Sequence, residues 1–310
     1  MTRTPASDRK DVDAMNSKRK KIILNVVLAL CIVVVVFCVV KIVQSVYEYQ
    51  NADKIYSDLT NSMTPPSRTT TEPTNTAAPQ NTTSDTALTS DPNSTEPSDT
   101  EITQPAPVPK EAYREWYEQL SAMKESYPDF FGWIYIEFSE TETISLPVMK
   151  GEDNSYYIDH AYDGTASTSG AIFADFRNTD RRITLNQNIL LYGHNMNNHS
   201  MFNLISSRYK KQNIFNTVPI VFYSMEGMYT FNVFSVYNAK AGVDDFDTIG
   251  FVEGDLQKFC LEKQTKSFYT KKLTFDNVQT IITLVTCLNY SDDGRVIVHG
   301  VLDSYESYFN

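Results

Sequence analysis

The 310-residue chain is poor in several things that commonly announce a function. It has four cysteines and four histidines; Cys31 and Cys38 fall in an apolar run, and Cys260 and Cys287 are far apart with no CxxC or metal-ligand spacing. A disulfide-framed fold and a structural metal site therefore lack their usual sequence signs. Spacing alone leaves a Cys260–Cys287 disulfide open. Positive charge is also short: the formal net charge is −11, which argues against a nucleic-acid partner and against a basic membrane-binding surface. No internal repeat is visible. Only one long apolar run exists, and composition shifts sharply near residues 44 and 110.

Residues 1–21 are polar and basic, and from Ile22 to Val40 only Asn25 interrupts the apolar residues. At about 1.5 Å per residue this run crosses a bilayer core of about 30 Å. The basic flank before it predicts a cytoplasmic N-terminus with all that follows outside. A cleaved signal peptide would carry a shorter apolar stretch and a small-x-small site, neither of which is present, so residues 22–43 read as an uncleaved anchor. A short polar helix over Val43–Leu59 is expected to follow it. Residues 44–109 are expected to form an extracellular linker. From Thr60 to Pro109 it is almost wholly Thr, Ser, Pro, Asn, Asp and Glu and too polar to offset chain entropy by burial. As a flexible coil it would span on the order of 40 Å and hold a domain away from the membrane. Asn81 and Asn93 sit in short glycosylation sequons.

Residues 110–310 are rich in Tyr, Phe, Val and Ile, enough for one domain. Tyr113, Trp116, Tyr117, Leu120 and Met123 recur at helical spacing and Pro128 ends that helix. Many short strand-like runs follow, with helical stretches at 201–209 and 254–266. The pattern predicts a mainly β, barrel-like domain with peripheral helices.

Chemistry concentrates in Thr280–Val301. An apolar run ends on Cys287, a polar loop with Asp292, Asp293 and Gly294 follows, and Arg295 opens a second apolar run. Two antiparallel strands would bring Cys287 and Arg295 to one end of a sheet. A cation beside a thiol favours the thiolate; the competing reading is a cysteine buried in the core. His194 follows another buried-strand pattern and Gly193. His299, four residues along the second strand, falls about 13 Å from Arg295 and reads as packed. His160 and His199 lie in polar segments and read as solvated. A Cys, His, Arg trio at strand ends suits nucleophilic catalysis.

Tyr192-Gly-His-Asn-Met196, Met201-Phe202, Leu204 and Thr283-Leu-Val-Thr-Cys287 with Arg295 resemble the sortases. Pro128–Ile136, Leu146–Met149, Asp153–Ile158 and Gly170–Asp175 resemble class B in order and spacing. The resemblance covers about Glu111 to Leu302. It implies an eight-stranded β-barrel, an N-terminal helix packed on it, a further helix at Glu253–Lys266, and a Cys287–His194–Arg295 site. It implies substrate contacts at Asn154, Ile158 and Tyr192, and Val285 and Thr286, just before the nucleophile, are expected to contact substrate as well. Class B members often carry serine where Val285 stands. The implied activity is cleavage of a C-terminal sorting signal, NPxT-like, through a thioester. Transfer to a peptidoglycan amine follows, with no cofactor or metal. A non-catalytic tethered adhesion module and a cysteine hydrolase are the alternatives.

Overall fold

The computed structural model describes residues 5–63, 65–66, 109–179, 182–288 and 291–309. Most of the expected linker, with both sequons, lies outside the described residues. The first helix, α1 (Pro5–Ser62), carries the apolar run Ile23–Gln44. Ile23, Leu24, Leu28, Val33, Phe37 and their neighbours on this run are exposed all round the helix. A helix apolar on every face and covered by none of the described residues has the length and surface of a membrane span.

Helix α2 (Arg114–Ser126) buries Trp116, Leu120 and Met123 on one stripe. It rests on strand β1 (Phe130–Ser139) through an edge-on contact of Trp116 with Trp133 at 5.8 Å. Strand β2 (Glu142–Met149) returns beside β1. Then come β3 (Ile172–Ala174), β4 (Asn188–Tyr192), α3 (Asn203–Arg208), α4 (Gln212–Thr217), β5 (Ile220–Tyr223) and β6 (Gly227–Lys240). Helix α5 (Asp255–Lys266), β7 (Ile281–Leu288) and β8 (Ser291–Ser307) complete the chain. The strands close into an eight-stranded barrel in the order β1-β2-β3-β4-β7-β8-β6-β5, which removes the exposed edges of an open sheet. Two contacts are parallel, β2 with β3 and β4 with β7. The predicted strand over 183–192 is shorter than expected, because Ile183–Leu185 forms a 3-10 turn.

Strand alternation sorts residues to the two faces. Ile189, Leu191, Ile282, Leu284, Val236 and Val298 fill the interior. The intervening residues of β4, β7, β8 and β6 face outward. That outer face is where the chemistry lies.

Candidate active site

Three rows of side chains cross this outer face. In the first, Thr283 pairs with His299 and His299 with Ser235. Two residues along, Val285 pairs with Ile297 and Ile297 with Tyr237. In the third, Cys287 pairs with Arg295 and Arg295 with Ala239. Residues directly opposite on antiparallel strands share a face with their Cβ atoms about 5 Å apart. The sulfur and the guanidinium therefore start from adjacent positions. Strand β4 adds the imidazole. Its parallel register sets Leu190 against Thr283 and Tyr192 against Val285, and the same spacing carried two residues on would set His194 against Cys287. The chain does continue along β7 past the end of β4: Gly193 N–H donates to Val285 O at 3.1 Å. Asn195 Nδ2 then donates to Cys287 O at 2.8 Å. The glycine is needed for space rather than for a left-handed turn. A Cβ on Gly193 would overlap Ile172 Cδ1 and stand 2.8 Å from Phe202 Cδ2.

The rows differ in cover. Over the first, α5 buries a polar cluster. Thr283 Oγ1 meets His299 Nδ1 at 2.8 Å and donates to Asn188 Oδ1 at 2.8 Å, while Tyr237 Oη lies 3.3 Å from His299 Nε2. Burial, and then the Lys263 charge, lower the His299 pKa to about 3, so the ring is neutral at pH 7. The expectation of a packed His299 holds. Phe246, from the segment before α5, packs with Val285, Ile297 and Leu190 over the second row. Cys287 and Arg295 in the third row stay half-buried, and Arg295 Nη1 donates to Gly294 O at 2.9 Å. All four cysteines are free. Cys260 is sealed in α5, where burial pushes its thiol up to about 12, so the Cys260–Cys287 disulfide left open by spacing does not form.

The wall beside the row comes from the loop before β3. His194 Nε2–H donates to Ile158 O at 2.7 Å, and the Ile158 side chain is exposed. Asp175, fully buried, gathers several donors. Arg177 reaches it through Nε at 2.7 Å and Nη2 at 2.8 Å, Asn154 Nδ2 at 2.9 Å and Tyr192 Oη at 3.2 Å. Burial alone would push this carboxyl up, but the bonds from Arg177 and Asn154 together hold it below the usual range. Burial, reinforced by Asp175, pushes the Tyr192 phenol well up, so it stays a donor. One carboxylate thus orients two of the expected peptide contacts, Asn154 and Tyr192. Neither Asp175 nor Asn195 was singled out by sequence, although Asp175 closes the Gly170–Asp175 block.

Two expected contacts require correction. Val285 is only 3% exposed beneath Phe246, and Thr286 is 1% exposed with its face turned inward like Leu284. Neither offers surface to a peptide, because strand pairing and the Phe246 segment cover them. The Thr286 hydroxyl has no hydrogen-bond partner among the described residues. His160 and His199 stand apart from the row: His160 binds Asp159 and stacks on Tyr156, and His199 contacts Asn203.

A sortase-domain family model matches residues 140–303. The chain belongs to the sortase family, class B. Sortase B of Listeria monocytogenes is 28% identical over 187 residues, covering 60% of this chain and 74% of that protein. The crystal structure of Clostridium perfringens sortase B is 31% identical with a TM-score of 0.53, covering 59% of this chain and 99% of that one. A Staphylococcus aureus sortase B–substrate complex is 30% identical with a TM-score of 0.53, covering 61% of this chain and 86% of that one. As a sortase the protein is a cysteine transpeptidase that anchors surface proteins by acting on their sorting signals.

Proposed function

We propose that Cys287, His194 and Arg295 carry the transpeptidase reaction. The single observation supporting this is the shared sheet end: Cys287 lies opposite Arg295, and the residues on either side of His194, Gly193 and Asn195, bond to Val285 O and Cys287 O. In this reading the Cys287 thiolate attacks the carbonyl at the scissile bond of the sorting signal, forming a C–S bond. Arg295 stabilises the oxyanion that develops there. The C–N bond breaks as His194 gives a proton to the leaving amine. With Nε2 engaged by Ile158 O, Nδ1 is the atom through which that proton passes. The incoming amine returns a proton to His194, attacks the thioester and releases the thiolate. Peptide-bond energy is conserved in the thioester, so the cycle needs no nucleotide.

The substrate is an NPxT-like peptide held by Asn154, Ile158 and Tyr192, and the acceptor is a peptidoglycan amine. The span begins after a basic flank and is apolar on every face. Residues 1–21 would then be cytoplasmic and the catalytic domain extracellular, near both a secreted substrate and a lipid-linked acceptor. The test is product analysis of a sorting peptide with and without an added amine. Ligated product that appears only with the amine, and only while Cys287 is intact, supports transfer. Free acid alone in both mixtures points to a hydrolase. No cleavage of any library peptide points to a tethered adhesion module.

A further inference from the structure

The sequence separates anchor and domain by some fifty polar residues, which reads as a tether. The described structure places a contact inside that separation. Past the apolar run, α1 continues to Ser62; its last turns carry Tyr56 and Leu59, and Met63, just past its end with its N–H bonded to Leu59 O, extends the same i, i+3, i+7 stripe. Tyr56 is 7% exposed and Met63 5%. The Tyr56 hydroxyl donates to Gly170 O at 2.7 Å and accepts from the Tyr162 N–H at 3.3 Å, with its ring against Tyr162. Met63 joins the cluster of Trp116, Trp133 and Tyr308 between α2 and the barrel, and Leu59 packs on its edge. Pro66 O accepts from the Tyr223 hydroxyl at 3.2 Å. The chain is next described at Pro109, which bridges to Phe309, and Lys110 N–H donates to Tyr308 O. The chain is thus held to the same domain at Pro66 and again at Pro109.

We propose that residues 55–63, together with Pro66, are a docking segment of the catalytic unit itself, fixing its height above the bilayer, so that the length of chain between Pro66 and Pro109 does not set its reach. This rests on reading Ile23–Gln44 as the membrane span. Tyr56 lies twelve residue steps of continuous helix past Gln44, which puts the contact about 18 Å beyond the end of the span. A tether would let the site wander over tens of ångströms. A docked stalk holds it at one level and one orientation relative to the surface from which substrate and acceptor emerge. The contact chemistry supports a permanent joint. A tyrosine ring and a methionine are sequestered from water, and both functions of the phenol, donor and acceptor, are satisfied by backbone.

Hydrogen exchange on the full chain in detergent reads the docking with no bilayer present. Amides 56–63 exchange at least tenfold more slowly in the native chain than in Tyr56→Asp; equal rates overturn the proposal. A second measurement reads height. The chain is reconstituted in vesicles with a fluorescent protein fused after Asn310 and acceptor dye on the lipids. Deleting residues 74–93 leaves energy transfer unchanged, and Tyr56→Asp lowers it. If the tether set the height, the same deletion would bring the domain closer by about 10 Å and raise transfer, overturning the proposal. A chain that washes off vesicles in alkaline carbonate refutes the span, and the exchange result in detergent then still decides the docking.

Discussion

Asp175→Asn separates the support of the site from its chemistry. The carboxylate is fully buried and accepts bonds from Arg177, Asn154 and Tyr192. Asparagine keeps the shape but loses the charge and one acceptor, so the paired bonds from Arg177 fail. Hydrogen bonds to a charged group contribute about 1.5–3 kcal/mol each. The Arg177 side chain is 43% exposed, however, so water recovers much of that loss and about 2 kcal/mol is expected. For a domain of this size that lowers Tm by about 4–8 °C. Asn154 and Tyr192 are then held less firmly, and ordering two such side chains on binding costs about 0.5–1.5 kcal/mol each. KM for the sorting peptide should rise about tenfold while kcat changes by less than threefold, since Cys287 and Arg295 sit on other strands. Steady-state kinetics with a fluorogenic peptide and a melting curve give both numbers. An unchanged Tm refutes the support role. A lowered Tm with native KM refutes the assignment of Asn154 and Tyr192 to substrate. Acid should act the same way. The Asp175 pKa in the fold lies below its unfolded value, so its contribution is complete above about pH 4 and is lost as pH falls through the lower, folded value.

Gly193→Ala should cost about 1–3 kcal/mol through overpacking against Ile172 and Phe202. It should also lower kcat by displacing His194, whereas Gly250→Ala, whose added Cβ meets nothing nearer than Gln187 Oε1 at 3.9 Å, leaves kcat unchanged; equal kinetics for the two variants would contradict the space argument. His299 is neutral in the fold with its pKa lowered to about 3, so the unfolded chain binds the extra proton as pH drops below about 6.5. Stability should therefore fall on acidification between about pH 6.5 and 3, with a slope of up to about 1.4 kcal/mol per pH unit from this group. In His299→Gln, chemical denaturation across that window should show a shallower slope, and an unaltered slope would refute the buried neutral histidine.

The barrel was legible because strand periodicity and the blocks around Trp133, Tyr192 and Cys287 point the same way. Cys287 and Arg295 were expected together at one sheet end and do pair, but Asp292, Asp293 and Gly294, expected as loop, lie inside β8, which begins at Ser291. What the sequence concealed depends on contacts distant along the chain. Val285 looks like a site residue by its place beside Cys287, yet Phe246, some forty positions earlier, covers it. Asp175 reads as one more acidic residue until Asn154, Arg177 and Tyr192 converge on it. The stripe of Tyr56, Leu59 and Met63 was present at helical spacing, but its polar surroundings hid it. Its partners, Gly170 and Tyr162, lie more than a hundred residues away.

The most direct test of the Cys287–His194–Arg295 assignment is intact-protein mass spectrometry of the full chain in detergent, mixed with a sorting peptide and no acceptor amine. The account predicts a mass increase equal to the acyl fragment, mapped to Cys287 and discharged when an amine is added. The adduct should be absent in Cys287→Ala, which keeps the native melting curve. Peptide cleavage by the folded Cys287→Ala chain, or an adduct on any other residue, would contradict it.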